Sequence, residues 1–288
     1  MNMNVKALQR FLSQQAGLAF PPEKAWLAES RLQPVVERHG LPTIDALIGQ
    51  IVSGFEPQLA AETVEAMLTH ETFFFRDRLP FDQFRTTMLP DIMRLRDSDR
   101  RIRIWSAACS TGQEPYSLAM LLDEESRKLN GWRVELLASD ISASVIDVAR
   151  RGLFSQFEVQ RGLPINHLLR YFHRAGEYWE IAEHIRARIE FRQINLMSNI
   201  SRLGQFDLIF CRNVLIYFDD KTRASALAQL TSALAPGGYL VLGASESLPD
   251  CPEDLKPMSF QNSIFRKTEA GSPLERHWAQ PGSRLSKL

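Results

Sequence analysis

The chain has 288 residues, enough for one large or two modest domains with buried cores, and its 34 basic and 34 acidic side chains cancel. That balance leaves no bulk field pointing to nucleic acid or an anionic membrane surface. Cys109, Cys211 and Cys251 show no C-x-x-C pairing, no signal segment opens the chain, and no apolar run approaches ~20 residues, so the sequence predicts a reduced, cytoplasmic protein without disulfides, zinc site or membrane insertion.

Residues 4–68 are helical by period, with Val5, Leu8, Phe11 and Leu12 on one face and Trp26, Leu27, Leu32, Val35 and Val36 on another. Turn signals at Gly17, Pro21-Pro22, Gly40-Leu41-Pro42 and Gly54 cut this stretch into short helices. Together with His70-Glu71-Thr72 and the run Phe73-Phe74-Phe75-Arg76 it forms a predicted helical domain over 1–76. Three consecutive phenylalanines cannot share one helical face, so they are expected to bridge two domains or wall a pocket. Arg76, directly after them, would be expensive to bury without an anion, which favours a functional arginine over a solvated one. Two further helical pieces over 77–100, ending in the charged run 94–103, read as linker helices.

After residue 101 the pattern changes. RIRIWSA, VELLASD, IEFRQIN, FDLIFCRN and GYLVLGAS read as strands and alternate with helical stretches at 114–129, 142–151 and 221–235, the signature of a parallel sheet with crossover helices over 101–268. Pro236-Gly237-Gly238 is expected to end the last helix and feed a strand at 239–243, and 259–267 reads as an edge strand. More than thirty residues separate the helix near Arg151 from the strand at Ile189, far more than a usual connection. Within them 168–174 and 178–181 flank Ala175-Gly176-Glu177, so 152–188 reads as an inserted hairpin subdomain. The Gly/Ser/Pro/Arg-rich segment 269–288 reads as a flexible tail.

The stretch 102–119 carries the most chemical information. A strand empties into Ala107-Ala108-Cys109-Ser110-Thr111-Gly112, small residues that let the backbone approach a ligand, and Glu114 stands just inside the following helix. Phosphate-binding turns leave that helix start free for an anion. A carboxylate there suits an ammonium or hydroxyl group, which favours S-adenosylmethionine (SAM) over a dinucleotide, as does the lack of G-x-G-x-x-G. Asp140 ends the next strand, where ligands of open α/β sheets bind, and suits the two ribose hydroxyls; the competing reading is a cap of the next helix, shared with Ser142 and Ser144. Asn195 and Asn213 end two further strands and suit an adenine edge or amino-acid moiety, or are turn asparagines. Tyr217 is core or a hydroxyl at the reacting centre. The six histidines show no metal spacing, and neither Ser110 nor Cys109 has the setting of a hydrolytic nucleophile.

HETFFFRD (70–77), WSAACSTGQEPYSLAM (105–120), ASDIS (138–142), INLM (194–197), FDLIFCRNVLIYF (206–218) and GGYLVLGASESL (237–248) together resemble the CheR family, the SAM-dependent glutamate O-methyltransferases of bacterial chemotaxis receptors. The opening GLAFPPEKAWLAESRL (17–32) resembles that family too. The resemblance implies a Rossmann-like α/β methyltransferase sheet of seven strands, an N-terminal helical domain and a small inserted antiparallel β-subdomain. It implies a SAM site at His70, Thr72, Arg76, Glu114, Asp140, Asn195, Leu196, Arg212 and Asn213, with Arg76 and Tyr217 bordering the methyl-transfer centre and no metal. His70 stands where the family usually has asparagine. The implied partner is the cytoplasmic helical domain of a chemoreceptor, engaged by a monomer; the short hairpin at Gly176 predicts that no C-terminal receptor pentapeptide is needed as a tether. The alternatives are a SAM methyltransferase of another substrate and a SAM-binding signalling module.

Overall fold

The computed structural model describes residues 4–54, 56–246, 248, 251–258 and 261–268; the expected tail at 269–288 lies outside them. Four helices come first: α1 (Val5–Ala16), α2 (Ala25–Arg38), α3 (Ile44–Ser53) and α4 (Pro57–Met67). The Asn4 and Thr43 side chains cap α1 and α3 by accepting from backbone N–H groups, and Gly17 and Gly54 end them in the left-handed region. Leu8, Phe11 and Leu12 meet Leu32, Val35, Val36, Leu47, Ile48, Ile51, Leu59 and Met67 in a core of their own. Trp26 departs from the expected face and is 66% exposed. The buried stripe of α2 runs through Ala28, Leu32, Val35 and Val36, and at 100° per residue Trp26 falls on the opposite side.

The 77–100 segment folds as α5 (Leu79–Gln83), a π-turn (Phe84–Met88) and α6 (Leu89–Leu95). It is not a free linker. Phe81, Phe84, Met88, Leu89 and Ile92 are all buried in the core beneath the sheet. The charged run that follows is fixed by ion pairs, with Arg96 Nε 2.6 Å from Asp207 Oδ1 and Arg103 Nε 3.0 Å from Glu135 Oε2.

The sheet strands are β1 (Arg101–Ala107), β2 (Arg133–Asp140), β6 (Ile189–Gln193), β7 (Phe206–Cys211), β8 (Leu234–Val241), β9 (Leu255–Met258) and β10 (Gln261–Lys267). Their order is β6-β2-β1-β7-β8-β10-β9, parallel from β6 to β8, with β10 antiparallel to β8 and β9 antiparallel to β10. The last strand is therefore interior, and β9, unread in the sequence, forms the edge. Strand β8 starts earlier than expected: it enters at Leu234 and passes through the Pro-Gly-Gly turn, with its register broken between Phe206 and Leu208. Helices α7 (Gln113–Glu124), α8 (Ala143–Arg151) and α12 (Asp220–Ala233) cross over between strands. Alternation along β1 sends Ile102 and Ile104 to one face of the sheet and Trp105 and Ala107 to the other, each into a buried cluster. No helix among the described residues is long and apolar enough to cross a membrane.

The inserted segment comprises β3 (Leu153–Phe154), α9 (Gln156–Gln160), α10 (Ile165–Tyr171), β4 (Phe172–Ala175), β5 (Tyr178–Ile181) and α11 (Glu183–Arg186), its three strands ordered β3-β5-β4 and antiparallel. The hairpin lies where the sequence put it, although 168–171 is helix and not strand. The phenylalanine run pins this subdomain down. Phe74 packs edge-on against Phe154 and Phe172, with ring centroids 4.9 and 5.6 Å away, while Phe75 meets Phe81 at 5.4 Å. Phe73 lies under two guanidinium groups, Arg161 at 4.5 Å and Arg76 at 5.6 Å.

Gly162 passes directly over this junction with φ +82°, where a Cβ would stand 2.1 Å from the Phe74 carbonyl oxygen. Gly162→Ala should therefore lower unfolding stability by roughly 2 kcal/mol or more, combining left-handed strain with backbone displacement. A denaturant midpoint equal to that of the parent would contradict the close approach.

Candidate functional site

The strand order reverses beside β1, so the carboxyl ends of β2, β1 and β7 open side by side onto a crevice: Ala107 is paired with Ser139 on one side and Cys211 on the other. The loops leaving these ends, with the segment after α4 and the α1–α2 connection, enclose a cavity of about 1000 Å³ including its solvent-open mouth. All ten residues named in the sequence line it: His70, Thr72, Arg76, Glu114, Asp140, Asn195, Leu196, Arg212, Asn213 and Tyr217.

Asp140, 6% exposed, does not cap α8; Ser142 does, accepting from Val145 N. Instead the Asp140 carboxylate joins two loops, with Ser110 N donating to Oδ2 at 2.8 Å and Ser142 N to Oδ1 at 3.0 Å. Burial raises its pKa against the pull of those two N–H groups. The small-residue turn expected after β1 has Ala108 at φ 57° and Ser110 at φ 50°, so the backbone there is held in a sparsely populated region.

Glu114, in the first turn of α7, accepts from Ser106 Oγ at 2.8 Å and from Arg212 Nη1 at 3.1 Å. Burial raises its pKa, with Arg212 and Ser106 pulling the other way. Arg212 follows β7 with a side chain only 2% exposed. Its Nη2 donates to Asp77 Oδ2 at 2.6 Å and to the Arg76 carbonyl at 2.8 Å. One guanidinium thus ties α7, β7 and the segment after the phenylalanines, in which Phe75, Asp77 and Arg78 all have positive φ. Arg212 Nε is buried with no hydrogen-bond partner, as is His70 Nε2, which stands 3.8 Å from Glu65 Oε1. Orphaned buried donors beside a cavity are what a bound polar ligand would satisfy.

The asparagines differ. Asn195 is occupied: Nδ2 donates to the Gln15 carbonyl at the end of α1 and Oδ1 accepts from Met197 N. Asn213 sits at φ 58° after β7. Leu196 is buried in the second sheet core. Arg76 makes one hydrogen bond, from Nη1 to the Glu71 carbonyl at 2.8 Å, and no ion pair among the described residues. The Tyr217 hydroxyl and Thr72 hydroxyl likewise have no hydrogen-bond partner among the described residues. Arg76 thus lines the cavity without an ion pair and Tyr217 with an unbonded hydroxyl, while Asp140, Glu114 and Arg212 are already locked into position by charged or multiple hydrogen bonds.

Sequence reading missed three contributors. Asp77 and Ser106 hold Arg212 and Glu114 in place. Glu65 on α4 accepts from the hydroxyls of Ser142 and Ser144, both at 2.5 Å, joining the helical region to the start of α8. None of the three carries a periodic or spacing signal, because each acts through a contact distant in sequence.

Comparison with known proteins agrees with this geometry. Residues 70–264 match the family model described as CheR methyltransferase, SAM binding domain, and residues 3–68 match CheR methyltransferase, all-alpha domain. Among curated proteins, chemotaxis protein methyltransferase 1 of Vibrio cholerae is 41% identical over 90% of this chain and 94% of its own length. Chemotaxis protein methyltransferase 1 of Pseudomonas aeruginosa is 39% identical over 93% and 98%, and chemotaxis protein methyltransferase Cher2 of Pseudomonas putida 37% identical over 92% and 97%.

The buried ion pairs make a stability statement that is independent of activity. Arg212→Met should leave Glu114 and Asp77 without their cation and lower unfolding stability by about 3–5 kcal/mol. Urea denaturation checks it, and a loss below about 1 kcal/mol would place the pairs among those that contribute little.

Proposed function

Because the chain belongs to the CheR methyltransferase family and is a SAM-dependent methyltransferase, we propose that its acceptors are glutamate side chains in the helical cytoplasmic region of chemoreceptors, converted to methyl esters with release of S-adenosylhomocysteine. The observation that carries this reading is the division of labour in the cavity: Asp140 at the end of β2 and Glu114 in the first turn of α7 are fixed by hydrogen bonds, while beside them Arg76 makes no ion pair and the Tyr217 hydroxyl no hydrogen bond among the described residues.

The donor set fits SAM. Asp140 keeps free lone pairs for ribose hydroxyls, Glu114 offers a carboxylate for the ammonium group, and the unpartnered N–H of Arg212 suits the carboxylate of the methionine moiety. Thr72, Asn195, Leu196, Asn213 and His70 complete the walls. When bound, SAM supplies an electrophilic methyl group on a sulfonium.

The acceptor glutamate, with a reference pKa near ~4.3, is already ionised at neutral pH, so attack in line with the departing sulfur needs no general base. What the protein must provide is alignment, which can be worth on the order of 7–11 kcal/mol. Arg76 meets that requirement by holding the acceptor carboxylate while remaining half-exposed, so its charge is softened and the nucleophile is not neutralised. Tyr217 offers a second hydrogen bond at the same centre.

Arg76→Ala should cut methyl transfer at least tenfold, read with tritiated SAM and a chemoreceptor cytoplasmic fragment; turnover near that of the parent would remove Arg76 from the mechanism. Asp140 and Glu114 bind through their ionised forms, and burial raises both pKa values. Acidification should therefore weaken S-adenosylhomocysteine binding before ordinary carboxylates titrate, and Asp140→Ala should weaken it at neutral pH. Calorimetry showing unchanged affinity in that variant would defeat the ribose assignment. The linkage for folding has the opposite sense: a raised carboxylate pKa means the folded state holds its proton more tightly, so these two groups add stability as pH falls and withdraw it as pH rises through their folded pKa values.

A further inference from the structure

A carboxylate behind the cavity wall holds more of the backbone than any other side chain near the site. Glu246, 6% exposed, closes a tight turn after β8 and accepts four backbone N–H groups. Gly243 N donates to Oε2 at 2.6 Å and Asn213 N to Oε2 at 2.8 Å, while Val214 N and Ile216 N donate to Oε1 at 3.0 and 3.3 Å. Three of these donors come from a single stretch, the one that runs from β7 into the short 3-10 turn Leu215–Tyr217.

Apart from the burial of Leu215 in the second sheet core, the backbone of that stretch is fixed on this side by Glu246. Asn213 begins it in the left-handed region, at φ 58°, where a non-glycine residue persists only if its surroundings impose it. On its far side the Tyr217 carbonyl accepts from Ala19 N at 2.7 Å, next to the bridge between Leu18 and Phe218. An ionised carboxylate presents two oxygens and about four lone-pair directions, matching four converging donors; a glutamine would turn an N–H₂ group toward two of them. There is no slack in the fit, since a Cβ on Gly243 would lie 2.8 Å from Glu246 Oε2 and 2.7 Å from Asn213 Nδ2.

We propose that Glu246 is a positioning residue for methyl transfer: by clamping Asn213, Val214 and Ile216 to the end of β8, it holds the Tyr217 hydroxyl in place at the cavity. It acts through the backbone, from outside the lining. The proposal rests on the reading that Tyr217 borders the transfer centre.

The test compares Glu246→Gln, Tyr217→Phe and the double variant, using tritiated SAM and a purified chemoreceptor cytoplasmic fragment, with calorimetry of S-adenosylhomocysteine as a separate readout. In Glu246→Gln, kcat should fall at least tenfold, with KM for the fragment and affinity for S-adenosylhomocysteine within about threefold of the parent. The double variant should be no more than about threefold slower than the slower single variant, because both changes remove the same hydroxyl from its position. Gly243→Ala, which keeps the carboxylate and all four donors but crowds them, should lower kcat in the same way and serves if Glu246→Gln fails to fold. Parent-like turnover in Glu246→Gln, a double variant whose losses multiply, or a loss of S-adenosylhomocysteine affinity as large as the loss of kcat would each overturn the proposal. Parent-like turnover in Tyr217→Phe beside a slow Glu246→Gln would instead overturn the reading of Tyr217 and, with it, this use of the clamp.

Discussion

The cavity depends on one buried cation. Arg212 ends the strand at the centre of the sheet and bonds in three directions, to Glu114 at the start of α7, to Asp77, and to the carbonyl of Arg76. Charges this deeply buried stabilise little on balance, since the desolvation of each ion offsets most of their attraction. What they provide is register. Loops leaving the carboxyl ends of parallel strands have no ladder to hold them, and here a guanidinium ties those after β1 and β7 to each other and to the segment at Arg76–Asp77. Asp140 does the same for the loops after β1 and β2 through two backbone N–H groups, joining the turn at Ser110 to the start of α8 at Ser142. The crevice is therefore built from polar clamps on an apolar platform.

That construction carries strain. Phe75, Asp77, Arg78, Ala108, Ser110 and Asn213 all have positive φ without being glycine, and all six lie in the loops around the cavity. Positions of that kind cost of order 1–3 kcal/mol each and survive only where surrounding contacts over-determine them. The sheet supplies the surplus: Trp105, Leu208, Ile209, Phe210 and Leu240 are fully buried on β1, β7 and β8. The raised pKa values of Glu114 and Asp140 point the same way, since burial disfavours the charged form of both carboxylates. Rigidity at the core and stored strain at the rim are two sides of one arrangement.

Much of this was legible in the sequence, and the limits have physical causes. The strands β1, β2 and β7 were readable because burial on both faces gives apolar runs with β-branched and aromatic residues, and the edge strand β6 because Ile189 and Phe191 alternate with exposed polar residues. Glu114 and Asp140 were readable because topology alone places strand ends together. Trp26 was misplaced because hydrophobicity was counted without its helical phase. Strand β9, LKPM, is short and carries a proline, so it has no strand signature, and its absence turned an interior strand into an apparent edge. The 77–100 segment read as a linker because its charged end was visible while its apolar face, Phe81, Phe84, Met88 and Ile92, has meaning only against the sheet. Glu246 stood in plain view within GGYLVLGASESL, yet its four donors lie up to 33 positions away and leave no local pattern.

The division between committed and uncommitted side chains follows from the chemistry. The proposed glutamate acceptor would arrive as an anion and its methyl donor as a cation, so their attraction across a water-poor cleft would do part of the work that a base or an oxyanion site does elsewhere. Such a reaction is slowed by any group that grips the acceptor too firmly, because a neutralised carboxylate is a poorer nucleophile. In the proposed roles, a partly exposed arginine over the ring of Phe73 and a phenol would orient such an acceptor without quenching it. The buried cation Arg212 belongs instead where nothing reacts, its charge already answered by Glu114 and by the more exposed Asp77. Placing a buried cation such as Arg212 directly on the acceptor would increase binding and reduce reactivity together, which is the trade that only interactions stronger in the transition state avoid.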